Sequence, residues 1–150
     1  MHKHTPEMYM FAGNNGSGKS TLRSLIIDKV GIPINIDPDA IALRLDPGNP
    51  EAKRITAGRE VIRTVNEYLK QGKNFSIETT FSGNNAIRQI KKAKKLGYVV
   101  TLIYVVLRKV DQNIKRVAMR VENGGHPIPT EDIVRRNVTS FRTFMSMLIW

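Results

Sequence analysis

Short apolar runs alternate with longer amphipathic stretches along this chain. Tyr9 to Ala12 is an apolar run stopping at Gly13, the profile of a buried strand. Ser20 to Val30 places Leu22, Leu25 and Ile26 on one helical face, and Gly31 ends it. Ile34 to Asp37 reads as a second strand halted at Pro38, with Asp37-Pro38-Asp39 in turn composition. A long helix is expected from Pro50, a favoured first-turn proline, to Gly72 at its C-terminal cap. Phe75 to Thr80 reads as a strand and Ala86 to Leu96 as a helix closed by Gly97. Tyr98 to Leu107 is rich in Val, Ile and Tyr, and its near-continuous apolar character predicts a strand buried on both faces. Helices are expected over Asp111 to Asn123 and Thr130 to about Met147, with Gly124 as a C-terminal cap and Thr130 as an N-cap. Four strands alternating with helices imply βαβ units, a mostly parallel sheet and an α/β fold. At 150 residues the chain supports one domain with a real core.

Composition changes this picture in one respect. Charged and hydrophobic fractions are ordinary, but 24 Lys+Arg against 13 Asp+Glu leave a net charge of +11, which points to anionic partners. KKAKK, Lys91 to Lys95, reads as a solvated helix face. There are no cysteines, no run near the ~20 apolar residues of a membrane span, and no signal-peptide core in MHKHTPEMYMF. A cytoplasmic protein without membrane partners is expected.

The chemistry starts at Gly13. Gly13-Asn14-Asn15-Gly16-Ser17-Gly18-Lys19-Ser20-Thr21 matches G-x-x-x-x-G-K-[ST] in full, with an apolar strand before it and an amphipathic helix after it. Glycines let the backbone turn a row of N–H donors onto phosphate oxygens, and the helix N-terminus adds its dipole. Lys19 would reach the β- and γ-phosphates, and the Ser20 hydroxyl would ligate Mg²⁺. ATP and Mg²⁺ are therefore the expected cofactors.

A mechanical ATPase carries a metal-binding acid at the end of an apolar strand. Here that strand ends VVLRK, with Arg108 at the corresponding place. The acids Asp37, Asp39 and Glu78 fall instead at the carboxyl ends of the second and third strands, the rim where open parallel sheets bind ligands. That arrangement suits phosphate transfer to a bound hydroxyl, with Asp37 or Asp39 as base and the other orienting metal-bound water.

With these residues placed, the chain resembles the zeta-toxin family of P-loop kinases, in its compact bacterial branch. The resemblance runs from Tyr9 to about Phe144 and rests on four blocks: GNNGSGKST, IDPDAIA, AGREVIRTVNEYLKQGKNFSIETTFSG and RVAMRVENGGHPIPTEDIVRR. It implies a P-loop NTPase fold, three-layer α/β/α, similar to nucleotide and shikimate kinases. It also implies transfer of the γ-phosphate of ATP to a sugar hydroxyl of UDP-N-acetylglucosamine, with an antitoxin protein as a partner to look for. By motif, Asp39 resembles the general base. Asp37, Glu78, Thr79 and Thr80 fall in acceptor-binding positions. Arg120 and Arg136 fall in a late basic segment, about residues 111–140, that closes over the phosphates. Arg116 lies one turn before Arg120, so either could reach. Relatives continue with another strand and helix where this chain stops at FRTFMSMLIW, so the final strand is expected to be absent and the C-terminus truncated.

Two other readings stay open: an ATP-binding or ATPase module, and a nucleic-acid-directed P-loop kinase. Aromatic residues make up 7% and are not interleaved with the basic runs, which argues against stacking on bases and makes a nucleic-acid partner unexpected.

Overall fold

In the computed structural model, which describes residues 4–149, β1 (Glu7–Ala12) runs straight into the glycine-rich loop and then into α1 (Lys19–Val30). β2 (Asn35–Ile36), α2 (Pro38–Leu45), a 3₁₀ turn (Pro50–Lys53) and α3 (Arg54–Gln71) follow. The chain continues through β3 (Phe75–Thr79), α4 (Asn85–Lys95), β4 (Val99–Tyr104), α5 (Val110–Glu122) and α6 (Thr130–Met147). Trp150 lies outside the described residues.

Among the described residues the sheet has four strands in the order β2-β3-β1-β4, all parallel. Side-chain alternation along β1 divides the core. Met8, Met10 and Ala12 face α3 and α4, where they meet Val61, Val65, Leu69, Ile90 and Ala93. Tyr9 and Phe11 face α1, where they meet Ile26, Ile27 and Ile32. Helices thus cover both faces, giving three layers, α/β/α. Phe144 and Met147 of α6 join the first face, and Tyr104 stacks on Phe144 with ring centroids 4.3 Å apart.

Three local expectations need correction, and one helix, α2, is unexpected. Asp37-Pro38-Asp39 opens a helix: Asp37 is the N-cap, its Oδ1 accepting from Asp39 N at 3.0 Å, and Pro38 occupies the first helical position. Turn and helix start share those residue types, and the apolar spacing of Ile41, Ala42 and Leu45 decides between them. Leu25 is exposed, and Ile26 and Ile27 make the core contact of α1, so its buried stripe is displaced from the predicted one. β4 is half-buried with Val99 exposed, since an edge strand lacks a neighbour on one side. Thr130 is already the first residue of α6, which has no side-chain cap; Glu131 and Asp132 in its first turn complement the dipole instead.

The Gly124-Gly125 pair closes α5 as expected, and its hydrogen bonds explain why two glycines are needed. Gly124 is left-handed at φ 93° and donates to Val121 O, while Gly125 N donates to Arg120 O at 2.7 Å. A Cβ on Gly125 would stand 2.8 Å from that same oxygen.

Candidate active site: a P-loop facing an acidic rim

The parallel register fixes what lies opposite the loop. Phe11 pairs with Glu78 and Ala12 with both Thr79 and Tyr104, so the carboxyl ends of β1, β3 and β4 are level. Gly13 N donates to Thr79 O at 3.1 Å and Val105 N to Ala12 O at 2.7 Å, anchoring the loop between its two neighbours. At Gly16 the backbone is left-handed, φ 74°, and a Cβ would lie 2.6 Å from the Asn113 carbonyl of α5. Only glycine permits that approach.

The phosphate cradle opens into a cavity of about 350 Å³ lined by Gly16, Gly18, Lys19, Ser20, Thr21, Arg116 and Arg120. Arg116 reaches over Gly18, where a Cβ would sit 3.4 Å from its Nη2. Ser17 Oγ is buried without a hydrogen-bond partner among the described residues, which leaves its proton for a phosphate oxygen. Lys19 has its pKa lowered by desolvation, against the pull of Asp39, Glu78 and Asp37, which raise it. Its ammonium therefore lies in the field of three carboxylates. These features fit a magnesium nucleotide. Among the described residues no group of three or more His, Cys, Asp or Glu could hold a metal ion. Of the residues present, the Ser20 hydroxyl would hold the cation, and such sparse protein ligation is typical of Mg²⁺.

Ser20 is set for that task by Glu78. Its hydroxyl donates to Glu78 Oε1 at 2.6 Å, leaving the oxygen lone pairs for a cation. Glu78 is only 4% exposed. Its second oxygen accepts from Asn35 Nδ2 at 2.9 Å and lies 3.6 Å from Arg23 Nε. Both carboxylate oxygens are thus engaged by protein. Asp37 is raised in pKa by burial first, then by the charges of Glu78 and Asp39. Asp39 is exposed, and among the described residues its carboxylate has no hydrogen bond or ion pair. Thr79 Oγ1 accepts from Phe81 N at 3.0 Å, and Thr80 Oγ1 shares a proton with Ser82 Oγ at 2.9 Å. Phe81 holds this turn in a left-handed conformation, φ 59°, with its ring fully buried. Such strain costs about 1 kcal/mol and is retained where a site demands it.

The arginines divide into two kinds. Arg116 and Arg120 are exposed on α5 and line the cavity, and among the described residues neither side chain makes a hydrogen bond or ion pair with the protein. Arg136 is 5% exposed and docked: its Nη1 donates to Asn15 Oδ1 at 2.7 Å, and Nη2 lies 3.9 Å from Asp132 Oδ2. Burial, then the charge of Arg54, lowers its pKa. Asn14 Nδ2 donates to the Ile133 carbonyl at 2.8 Å, so both loop asparagines direct their side chains to α6. The α6 half of the late basic segment is therefore already seated on the loop.

The residues that sequence reasoning missed are the supporting ones: Arg23, Asn35 and Asn113. Asn113 carried a signal, a polar residue four positions before the buried Val117 on one stripe of α5. Asn35 and Arg23 carried none.

A central P-loop strand in a parallel sheet, with acids on the adjoining carboxyl rim and arginines behind the phosphate cradle, defines a P-loop kinase. The zeta toxin family description matches residues 1–145, and the chain belongs to that family. An uncharacterized protein of Haemophilus influenzae strain Rd is 45% identical over 125 residues, covering 83% of this chain and 87% of that one. A chain of the PezAT chromosomal toxin–antitoxin system of Streptococcus pneumoniae superposes with a TM-score of 0.73, covering 100% of this chain and 67% of that one, at 22% identity. Shikimate kinase from Acinetobacter baumannii, solved with shikimate, gives 0.59 over 96% and 80%, at 14% identity. At these identities the two structural likenesses speak for the fold.

Proposed function

We propose that this protein is a magnesium- and ATP-dependent kinase that phosphorylates a hydroxyl of a sugar nucleotide, UDP-N-acetylglucosamine being the acceptor to test first. The observation that carries the reading is the rim itself: Glu78 at the end of β3 stands level with the start of the loop and 2.6 Å from Ser20 Oγ, and Asp37 and Asp39 open α2 directly after the neighbouring strand β2. Removing the proton of an acceptor hydroxyl calls for a carboxylate with free oxygens on that rim, and the exposed Asp39 offers one.

In this reading the loop N–H groups and Lys19 hold the β- and γ-phosphates, and Ser20, aimed by Glu78, holds Mg²⁺. Held by Ser20, Mg²⁺ would offset the negative charge that develops on the phosphates. Asp39 accepts the proton of the acceptor hydroxyl as its oxygen attacks the γ-phosphorus and the bond to ADP breaks. Asp37 fixes the first turn of α2 through Asp39 N and would orient water around a bound cation. Arg136 and one of Arg116 and Arg120 neutralise the equatorial oxygens of the transferring group. Thr79 and Thr80 line the acceptor end. Family membership supports the acceptor class, and the toxin–antitoxin neighbour supports looking for an antitoxin protein as partner, in the cytoplasm. Among the described residues no helix is long and apolar enough to cross a membrane.

The test is a split between two variants. Lys19→Ala is expected to weaken ATP binding and to lower turnover by roughly 10³-fold or more. Asp39→Asn is expected to bind ATP like the parent while losing about 10²–10⁴-fold in transfer to the sugar nucleotide. Parent-level transfer by Asp39→Asn would remove Asp39 as the base.

A further inference from the structure

From Asn14 and Asn15 a triphosphate needs only backbone N–H groups, and both side chains are committed elsewhere. Asn15 stands at the crossing. Its N–H donates to Asn14 Oδ1 at 2.8 Å, its carbonyl accepts from Asn113 Nδ2 of α5 at 3.0 Å, and its side-chain Oδ1 accepts from Arg136 Nη1 of α6 at 2.7 Å. Asn14 completes the set through the Ile133 carbonyl at 2.8 Å. Asn14, Asn15, Asn113, Ile133 and Arg136 are all buried. Hydrogen bonds in such surroundings are strong and directional, and breaking one leaves an unpaired buried group.

A guanidinium carries its donors in one rigid plane. Contacts at Nη1 from Asn15 and near Nη2 from Asp132 fix both the direction and the roll of that plane. We propose that Asn15 is a positioning residue: its side-chain oxygen sets the Arg136 guanidinium in the orientation in which it meets the transferring phosphoryl group. This deepens the kinase reading above and rests on it. The advantage is one of reference frame. Arg136 belongs to α6, more than a hundred residues from the loop, and a cation hung only on its own helix would follow every small shift of that helix. Tied to Asn15, it moves with the loop that holds the phosphates. Misplacement by about 1 Å at such a centre can cost roughly 10² in rate. Arg136 is thus pre-aligned, and the cation that has freedom to move on nucleotide binding is Arg116 or Arg120 on α5.

The experiment compares Asn15→Leu, which keeps the volume and removes the acceptor, with Asn15→Asp, which returns an oxygen to the same place. The full chain is labelled with ¹⁵N-arginine, and the Arg136 Nε–H signal is assigned by its loss in Arg136→Lys. We expect Asn15→Leu to broaden or shift that signal and to lower kcat by about 10²-fold, with the ATP dissociation constant changed by less than about threefold. Asn15→Asp should recover the signal and bring kcat to within about tenfold of the parent, while its added charge beside the phosphates raises the KM for ATP. If Asn15→Leu fails to fold, Asn15→Ala carries the same comparison. An unchanged Arg136 signal and parent kcat in the Leu or Ala variant would overturn the proposal. So would an Asp variant as slow as the Leu variant. Should the parent phosphorylate no sugar nucleotide, the kinase reading fails by itself, and the Arg136 signal still decides whether Asn15 holds the guanidinium.

Discussion

Replacing Glu78 by glutamine removes one negative charge and almost no volume, at a residue whose every polar contact is visible. Ser76 Oγ donates to Asn35 Oδ1 at 2.7 Å, which fixes the Asn35 amide so that its Nδ2 must face Glu78. Ser20 Oγ presents its proton to the other oxygen at 2.6 Å. A carboxylate accepts from both. Glutamine has one acceptor and one donor group, so it satisfies one neighbour and opposes the other. If its oxygen faces Ser20, two amide N–H₂ groups confront each other. If it faces Asn35, the Ser20 oxygen must accept a hydrogen bond, which takes a lone pair from the metal. One charge-assisted hydrogen bond to a buried group is worth about 1.5–3 kcal/mol. Relief of repulsion with Asp37 returns part of that, while the lost pairing with Arg23 at 3.6 Å adds to it, leaving a net destabilisation of about 1–3 kcal/mol. Outer-shell partners of metal ligands typically contribute 10–100-fold in affinity, so the Mg²⁺ midpoint for ATP binding should rise by roughly that factor. Urea denaturation gives the first number, and calorimetric titration of ATP at graded Mg²⁺ gives the second. A Glu78→Gln protein with parent stability and parent Mg²⁺ midpoint would refute the claim that Glu78 orients Ser20.

Two further predictions follow from burial and charge. Asp37 has a raised pKa in the folded chain, so between the ordinary aspartate value and the folded value the native state holds a proton that the unfolded state has released. Stability therefore falls as pH rises through that window, and each unit of separation is worth about 1.4 kcal/mol. Asp37→Asn keeps the N-cap acceptor; it should flatten that slope in pH-dependent melts and be more stable than the parent at neutral pH, and an unchanged slope would count against the assignment. Arg120→Ala and Arg136→Ala should differ in kind. The exposed Arg120 should leave stability within about 0.5 kcal/mol of the parent. The buried Arg136, bonded to Asn15, should cost about 2 kcal/mol as well as lowering transfer. Equal melting curves for the two would show that Arg136 is not docked as described.

How far the sequence reaches depends on how local each feature is. The phosphate loop was legible because its requirements are met within nine consecutive residues, and the strand–helix alternation because a parallel sheet imposes it. Asp37-Pro38 misled because a helix start and a turn use the same residues, and the deciding apolar spacing of Ile41, Ala42 and Leu45 is only two turns long. The reading of β4 as doubly buried failed because hydropathy does not say which strand lies at an edge. The supporting polar contacts were out of reach for a different reason. Asn113 to Asn15 spans 98 positions, Asn35 to Glu78 43 and Arg136 to Asn15 121, and nothing in any one of these residues names its partner. Chemistry-bearing side chains can be proposed from motif, whereas the residues that aim them emerge only once the fold has brought distant segments together.

The central claim is transfer of the γ-phosphate of ATP to a hydroxyl of a sugar nucleotide, and mass spectrometry of the small-molecule products tests it most directly. Purified protein is incubated with Mg-ATP and UDP-N-acetylglucosamine, with Lys19→Ala as the control. A sugar nucleotide heavier by one phosphate is expected, formed in step with ADP and absent with Lys19→Ala. ADP and free phosphate with an unchanged sugar nucleotide would contradict it.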